Sequence, residues 1–178
     1  MTTIGQSERA TQERVIALFR DELGYRYLWD GTYRDGNSNV EEAVLSAWLK
    51  GRGYSREQIA RAIERLKREA DHPGRSLYDN NKAVYGLLRY GVPVKVEAGK
   101  ATETVALVDW DDPDQNDFAI AEEVTLRGGQ ERRPDLVLYL NGIAVGVIEL
   151  KNSRVGVGDG IRQLLSNQQP EFNAWYFS

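Results

Sequence analysis

Cysteine is absent from the chain, which excludes a disulfide framework, a thiolate zinc site and a cysteine nucleophile. A chain without thiol chemistry fits a reducing, cytoplasmic setting. The single histidine, His72, abuts Pro73 and reads as a capping or surface residue at a helix end. No run approaches 18 consecutive apolar residues, so no membrane-spanning helix is expected. The opening MTTIGQSERATQERV has no apolar core of the kind a signal peptide needs. A G-x-x-x-x-G-K-[ST] phosphate loop is missing too, so these residues alone do not hydrolyse ATP by the usual route. Positive charge is in short supply: the net charge is −4, against the basic surface of a free-standing nucleic-acid binder. Residues 1–90 hold 15 Lys and Arg against 13 Asp and Glu, whereas residues 91–178 hold 8 against 14. Part of that deficit is an acidic run, Asp109, Asp111, Asp112, Asp114 and Asp117, which reads as a solvated loop.

What is present suffices for one compact domain. A chain of 178 residues buries about 70% of its unfolded surface and needs no staple. Residues 1–91 read as helices. Ser7 is placed to cap a helix bearing Val15, Ile16, Leu18, Phe19 and Leu23. Asn39 with Glu42, and Ser55 with Gln58, have capping-box spacing. A fourth helix runs from about Ser76 to the stop at Gly91 and Pro93. From residue 92 the period changes to two. Val94–Glu97 alternates, Gly99-Lys100 turns into Thr104–Val108, and Phe118–Leu126 reads as a strand before a Gly128-Gly129 turn. Leu136–Leu140 and Ile143–Leu150 flank Asn141-Gly142, the strongest short hairpin signal. A Gly156/Gly158 loop then leads to a helix over Asp159–Gln168. Helices, a strand meander and a closing helix predict an α+β layered fold in a single domain.

The chemistry concentrates in RRPDLVLYLNGIAVGVIELK. Asp135 opens one arm of the hairpin; Glu149 and Lys151 close the other. Strand alternation puts Glu149 and Lys151 on one face and Leu150 on the opposite one. The tight turn brings Asp135 back beside Glu149. Two carboxylates about 4 Å apart repel by roughly 4 kcal/mol at an effective dielectric near 20. A divalent cation, most naturally Mg²⁺, relieves that repulsion, and it asks for oxygen ligands and retained waters rather than histidine or thiol. Such an ion binds a phosphate oxygen and acidifies a bound water, while a lysine alongside orients the water or neutralises charge on the phosphate. The Leu150 carbonyl is a further ligand candidate, and Arg132 and Arg133 are candidates to hold a scissile or flanking phosphate. A bare D…ExK match is usually a solvated hairpin. Here the proline before Asp135, the tight turn and the apolar run Ala144–Ile148 ahead of the Glu–Lys pair favour a site.

RPDLVLYLNGIAVGVIELKNS followed by GDGIRQLLSNQ resembles the N-terminal nuclease domain of the restriction (R) subunit of type I restriction-modification enzymes, of the PD-(D/E)xK superfamily. ERATQERVIALF, LGYRYL, SLYDNNKAVYGLLRYGV and DFAIAEEV carry the likeness over most of the chain. The resemblance implies a restriction-endonuclease-like fold with a mixed β-sheet flanked by helices. It implies Asp135 and Glu149 as metal ligands for Mg²⁺, with Mn²⁺ able to substitute, and Lys151 as the catalytic lysine. Gln163 matches the first residue of a Gln-x-x-x-Tyr motif found in many relatives; Asn167 stands where the tyrosine would be. An acidic residue of the first helix often joins the site in this superfamily, and Glu13 is the candidate. The implied protein is longer, with ATP-dependent motor domains, and cuts unmodified double-stranded DNA together with methyltransferase (M) and specificity (S) subunits. A stand-alone nuclease independent of ATP and a catalytically idle docking domain are the alternatives.

Three features remain. Glu122 and Glu123 precede the hairpin and read as structural or solvated. Tyr78, Tyr85 and Tyr90, with Arg89, have the makings of a base-stacking face, but their helical spacing favours core packing. Trp175-Tyr176-Phe177 reads as the start of a further strand, and the chain as a piece of a longer one.

Overall fold

The computed structural model describes residues 8–32, 37–96, 99, 101–126, 131–151, 156–169 and 174–177. The elements are α1 (Glu8–Ala17), β1 (Arg26–Asp30), α2 (Glu42–Gly51), α3 (Arg56–Ala70), α4 (Leu77–Tyr90), β2 (Val92–Val94), β3 (Glu103–Val105), β4 (Phe118–Glu122), β5 (Leu136–Leu140), β6 (Ile143–Ile148) and α5 (Val157–Asn167). The four-stranded sheet has the order β1-β4-β5-β6. Its β1–β4 pair is parallel and its β5–β6 pair is a two-residue hairpin, hence antiparallel. The sheet is therefore mixed, in an α+β fold of the kind expected. Among the described residues no helix is long and apolar enough to cross a membrane.

Contacts divide the chain into two units. The first comprises residues 1–38, 118–139 and 144–174, and so holds most of the sheet together with α1 and α5. Ile16 of α1 is buried with Ile120 and Leu136, and Leu150 packs against them. β1 lies inside the half that reads as all-helical. Tyr27 pairs in register with Ile120, with an irregularity between Tyr27 and Asp30. Parallel pairing across some ninety residues leaves no local signature comparable to a hairpin turn. After α1 the helix continues as one turn of π-helix, Leu18–Glu22. That widening rotates the face and leaves Leu18 42% and Leu23 56% exposed, out of the apolar stripe predicted for them. Ser7, the expected cap, and Gly128-Gly129, the expected turn, lie outside the described residues.

The second unit comprises residues 39–117, 140–143 and 175–178. Its core joins Leu45 and Leu49 of α2, Ala62 and Leu66 of α3 and Val92 and Val105 of the β2–β3 hairpin, all at 1% exposure or less. Burying each leucine contributes about 1.5–3 kcal/mol. α3 starts with the predicted capping box: the Gln58 amide donates to Ser55 Oγ and the Ser55 amide to Gln58 Oε1. Ser76 caps α4 by accepting the Asp79 amide. α2 has no such box. Val40 bridges Ile143 and the Glu41 amide donates to the Gly142 carbonyl at 2.7 Å, so a strand-like entry replaces the Asn39 cap and the helix begins at Glu42.

The Asn141-Gly142 turn is the rigid point of the hairpin. Both residues have positive φ, 53° and 85°, the pairing that a type I′ turn requires. Asn141 is fully buried. Its Nδ2 donates to the Leu107 carbonyl and Asn116 Oδ1, and its Oδ1 accepts the Asp117 amide at 2.7 Å. A Cβ on Gly142 would meet Glu41 O, Leu45 N and Val44 Cβ, each at 2.9 Å.

Three smaller expectations resolve as follows. His72 Nδ1 accepts the Gly74 amide and closes the turn after α3. Residues 174–177 form a 3-10 turn rather than a strand, with Tyr176 buried. The tyrosines of α4 are not core: Tyr78 is 73%, Tyr85 60% and Tyr90 78% exposed.

Candidate active site

The site forms where β5 and β6 leave their ladder. β5 begins at Leu136 and β6 ends at Ile148, two residues short of the strand predicted through Leu150. The reason is a competing hydrogen bond: the Leu150 amide donates to Asp135 Oδ2 at 2.6 Å. A side chain has taken a ladder donor, which fixes the Asp135 carboxylate against the main chain carrying Glu149 and Lys151. Leu150 enters the site through its backbone, while its side chain joins the core of the first unit.

Glu149 and Lys151 share a face, as alternation requires. Lys151 Nζ lies 3.6 Å from Glu149 Oε2 and 3.7 Å from Glu8 Oε1. Gln163, from α5, donates its Nε2 to the same Glu149 oxygen at 3.1 Å. Gly160, one helical turn before Gln163, faces Lys151: a Cβ there would make an ordinary contact with Lys151 Cγ at 3.5 Å. Asn167 falls at the last position of α5.

Burial dominates the electrostatics. The Glu149 side chain is 2% exposed. Loss of hydration and then the neighbouring Asp135 charge push its pKa to about 7, with Lys151 opposing and Glu8 adding to the rise. Burial also raises the Asp135 pKa, opposed by the Leu150 amide and Lys151. Glu149 Oε1 is buried and has no hydrogen-bond partner among the described residues. Such an orphaned acceptor costs about 1–3 kcal/mol, more when charged.

These features fit a hard divalent cation. An all-oxygen donor set, a Glu149 carboxylate whose pKa burial and the Asp135 charge raise, and a carboxylate oxygen unsatisfied among the described residues suit Mg²⁺. No three His, Cys, Asp or Glu side chains among the described residues group closely enough to enclose an ion. A magnesium site does not need such a cage, because the ion retains several waters.

Other candidates sit elsewhere. Glu13 is ion-paired with Arg9 at 3.2 Å on an exposed face; Glu8 is the α1 carboxylate beside Lys151. Helical spacing carries the signal that separates them. Glu8, Gln12 and Ile16 recur every four residues, so the face that buries Ile16 also turns Gln12 and Glu8 inward. Arg133 Nε pairs with Glu123 at 2.8 Å, and Arg132 exchanges backbone hydrogen bonds with Leu126. Glu122 is buried and accepts from Arg9, Gln12 and Tyr27, a structural role. Glu123 has φ of 51°, accepts from Gln12 and gives its amide to the Asp135 carbonyl at 2.9 Å.

The mixed sheet, the hairpin and a half-buried Asp–Glu–Lys cluster with a helix-borne glutamine place this chain in the class of α+β domains carrying a carboxylate–lysine site on a β-hairpin. The particular family is the type I restriction enzyme R protein N terminus, whose pattern the sequence matches over residues 5–177; the chain belongs to it. A protein of Methanocaldococcus jannaschii, provisionally named as the type I restriction enzyme MjaIXP endonuclease subunit, is 28% identical over 147 residues. The match covers 74% of this chain and 14% of that relative, so the chain spans about a seventh of the relative's length.

Proposed function

We propose that this chain is the endonuclease module of a type I restriction R subunit, hydrolysing phosphodiester bonds of unmodified double-stranded DNA at the Asp135/Glu149/Lys151 cluster. The observation that carries the reading is the buried Glu149 oxygen beside Asp135 and Lys151 that has no hydrogen-bond partner among the described residues, an arrangement with a cost unless a cation completes it. Asp135, Glu149 and the Leu150 carbonyl would hold Mg²⁺, for which Mn²⁺ substitutes. Bound there, the ion supplies a Lewis acid for a phosphate oxygen and a water acidified towards neutral pH.

The chain's own groups do the rest. Lys151, held between Glu149 and Glu8, orients the attacking water and offsets negative charge as the phosphorus becomes five-coordinate. Gln163 fixes the Glu149 carboxylate. Glu8, rather than Glu13, balances the lysine. Arg133, half exposed in its pair with Glu123, offers its outer guanidinium nitrogens to a flanking phosphate, with Arg132 next to it. ATP belongs to motor domains elsewhere in a longer chain, and the M and S subunits supply recognition of the DNA target in the cytoplasm.

The test is DNA cleavage by the complete R subunit assembled with its partners, in Mg²⁺ and ATP, against Glu149→Ala. The variant is expected to translocate and hydrolyse ATP but leave DNA uncut. Normal cutting by the variant would refute the assignment.

A further inference from the structure

The solvent face of α4 carries a pattern that the carboxylate site does not use. Tyr78, Lys82, Tyr85 and Arg89 follow one another at intervals of four, three and four residues, which aligns them in one stripe. Tyr78 and Tyr85 are 73% and 60% exposed, and Lys82 and Arg89 are exposed with them. The opposite face, with Asn80, Val84 and Leu87, is buried. The tyrosines are therefore not the outer edge of a core. The two tyrosines are seven residues apart, as are the two cations, or about 10 Å along the helix at ~1.5 Å per residue. The stripe continues past the helix end: the Arg89 guanidinium lies over the Trp110 ring at 5.4 Å. Trp110 is 49% exposed and is held by its Nε1 hydrogen bond to the Leu88 carbonyl.

The composition of the face selects its partner. Along the helix it has two cations and no carboxylate in line; Asp79, a quarter-turn away, is tied to Ser76, and at the Trp110 end Asp109 is paired with Arg52 while Asp111 follows the ring in the chain. It also lacks aliphatic residues, since Leu77 and Leu88 are half-buried to its sides. A protein-binding patch concentrates apolar contact at its centre, whereas rings alternating with cations suit a chain alternating bases with phosphates. The ~10 Å repeat matches about three nucleotides at ~3.4 Å per step. A paired duplex hides its base faces and would leave the rings without a role.

We propose that the α4 face binds an unpaired strand of nucleic acid, with Tyr78, Tyr85 and the Arg89–Trp110 pair stacking on bases and Lys82 and Arg89 facing phosphates. Nuclease activity is not a premise, so binding is measured without divalent ion.

The experiment is fluorescence anisotropy of a labelled 20-nucleotide oligothymidylate, and of a duplex of equal length, with the chain in EDTA at low salt. Tyr78→Ala/Tyr85→Ala is expected to weaken single-strand binding about thirtyfold or more, with the melting temperature unchanged because both side chains are exposed. Tyr78→Phe/Tyr85→Phe, which keeps the rings, is expected to restore it. Lys82→Gln/Arg89→Gln is expected to flatten the salt dependence of log Kd by about 1.4, at ~0.7 per phosphate contact on a single strand. Binding in EDTA involves neither a divalent ion nor cleavage, so a failure of the nuclease reading leaves this result untouched. No single-strand binding by the parent overturns the proposal, and so does unchanged affinity in the folded double-alanine variant. Equal losses on duplex and single strand, which would mean phosphate contact without stacking, overturn it as well.

Discussion

Replacing Glu149 by glutamine in metal-free buffer isolates the cost of burying a carboxylate with no cation beside it. The Glu149 pKa rises from an ordinary 4.5 to about 7, so folding binds a proton there that the unfolded chain releases. The stability this group provides is complete below pH 4.5, falls as pH climbs, and is gone above about pH 7. A shift of about two and a half units at ~1.4 kcal/mol each amounts to about 3 kcal/mol lost across that window. Asp135 shifts in the same direction and steepens the fall. Glu149→Gln cannot titrate, keeps an oxygen for the Gln163 donor, and adds an amide nitrogen that needs an acceptor. Its absolute stability therefore moves by a mixture of effects, but its pH slope does not. Urea unfolding in EDTA at half-unit steps from pH 4.5 to 8 should show the parent losing about 3 kcal/mol more than the variant. A divalent ion at a hundred times its Kd should return about 2.7 kcal/mol to the parent at pH 8 and nothing to the variant. Superimposable pH profiles would refute the reasoning.

Lys151→Ala should push the Glu149 titration midpoint higher, because the lysine opposes the rise; cleavage by the assembled enzyme should stop while ATP hydrolysis persists, and a variant that cuts normally would remove Lys151 from the mechanism. Asn141→Ala deletes three buried side-chain hydrogen bonds at roughly 1 kcal/mol each; a loss under 1 kcal/mol in denaturant titration would show that the turn does not depend on them. Gly142→Ala should destabilise the chain severely, since positive φ and three contacts of 2.9 Å coincide there, and a folded variant with parental melting temperature would contradict that packing. The isolated chain should nick supercoiled plasmid slowly in Mg²⁺, because its second half is acidic and phosphate attraction supplies most non-specific affinity. Brisk double-strand cleavage without ATP would favour a self-sufficient nuclease.

Local signals survived into the structure where a few neighbouring residues decide the outcome. The Asn141-Gly142 turn and the Ser55–Gln58 box are settled within four residues, and the turn fixes the Asp135–Glu149 juxtaposition. Where distant partners decide, the sequence was silent or misleading. β1 acquires its identity from β4, ninety residues on. The Asn39 cap yielded to a bridge with Ile143 that only the folded hairpin provides. Glu8 is legible in the four-residue rhythm with Gln12 and Ile16, whereas Glu13 lies off that rhythm on the exposed face with Arg9. The π-turn at Leu18–Glu22 left no periodic trace, so Leu18 and Leu23 looked like core. The α4 tyrosines show the opposite failure: helical spacing says that residues share a face, not which side of the helix meets the core.

Isothermal titration of Mn²⁺ and Mg²⁺ into the chain at pH 7.5 tests the central claim most directly. A single site is predicted, with proton release as Glu149 ionises, and both signals should vanish in Asp135→Asn and in Glu149→Gln while the fold persists. Binding of the same affinity and proton count in the two variants would place the ion elsewhere and contradict the account.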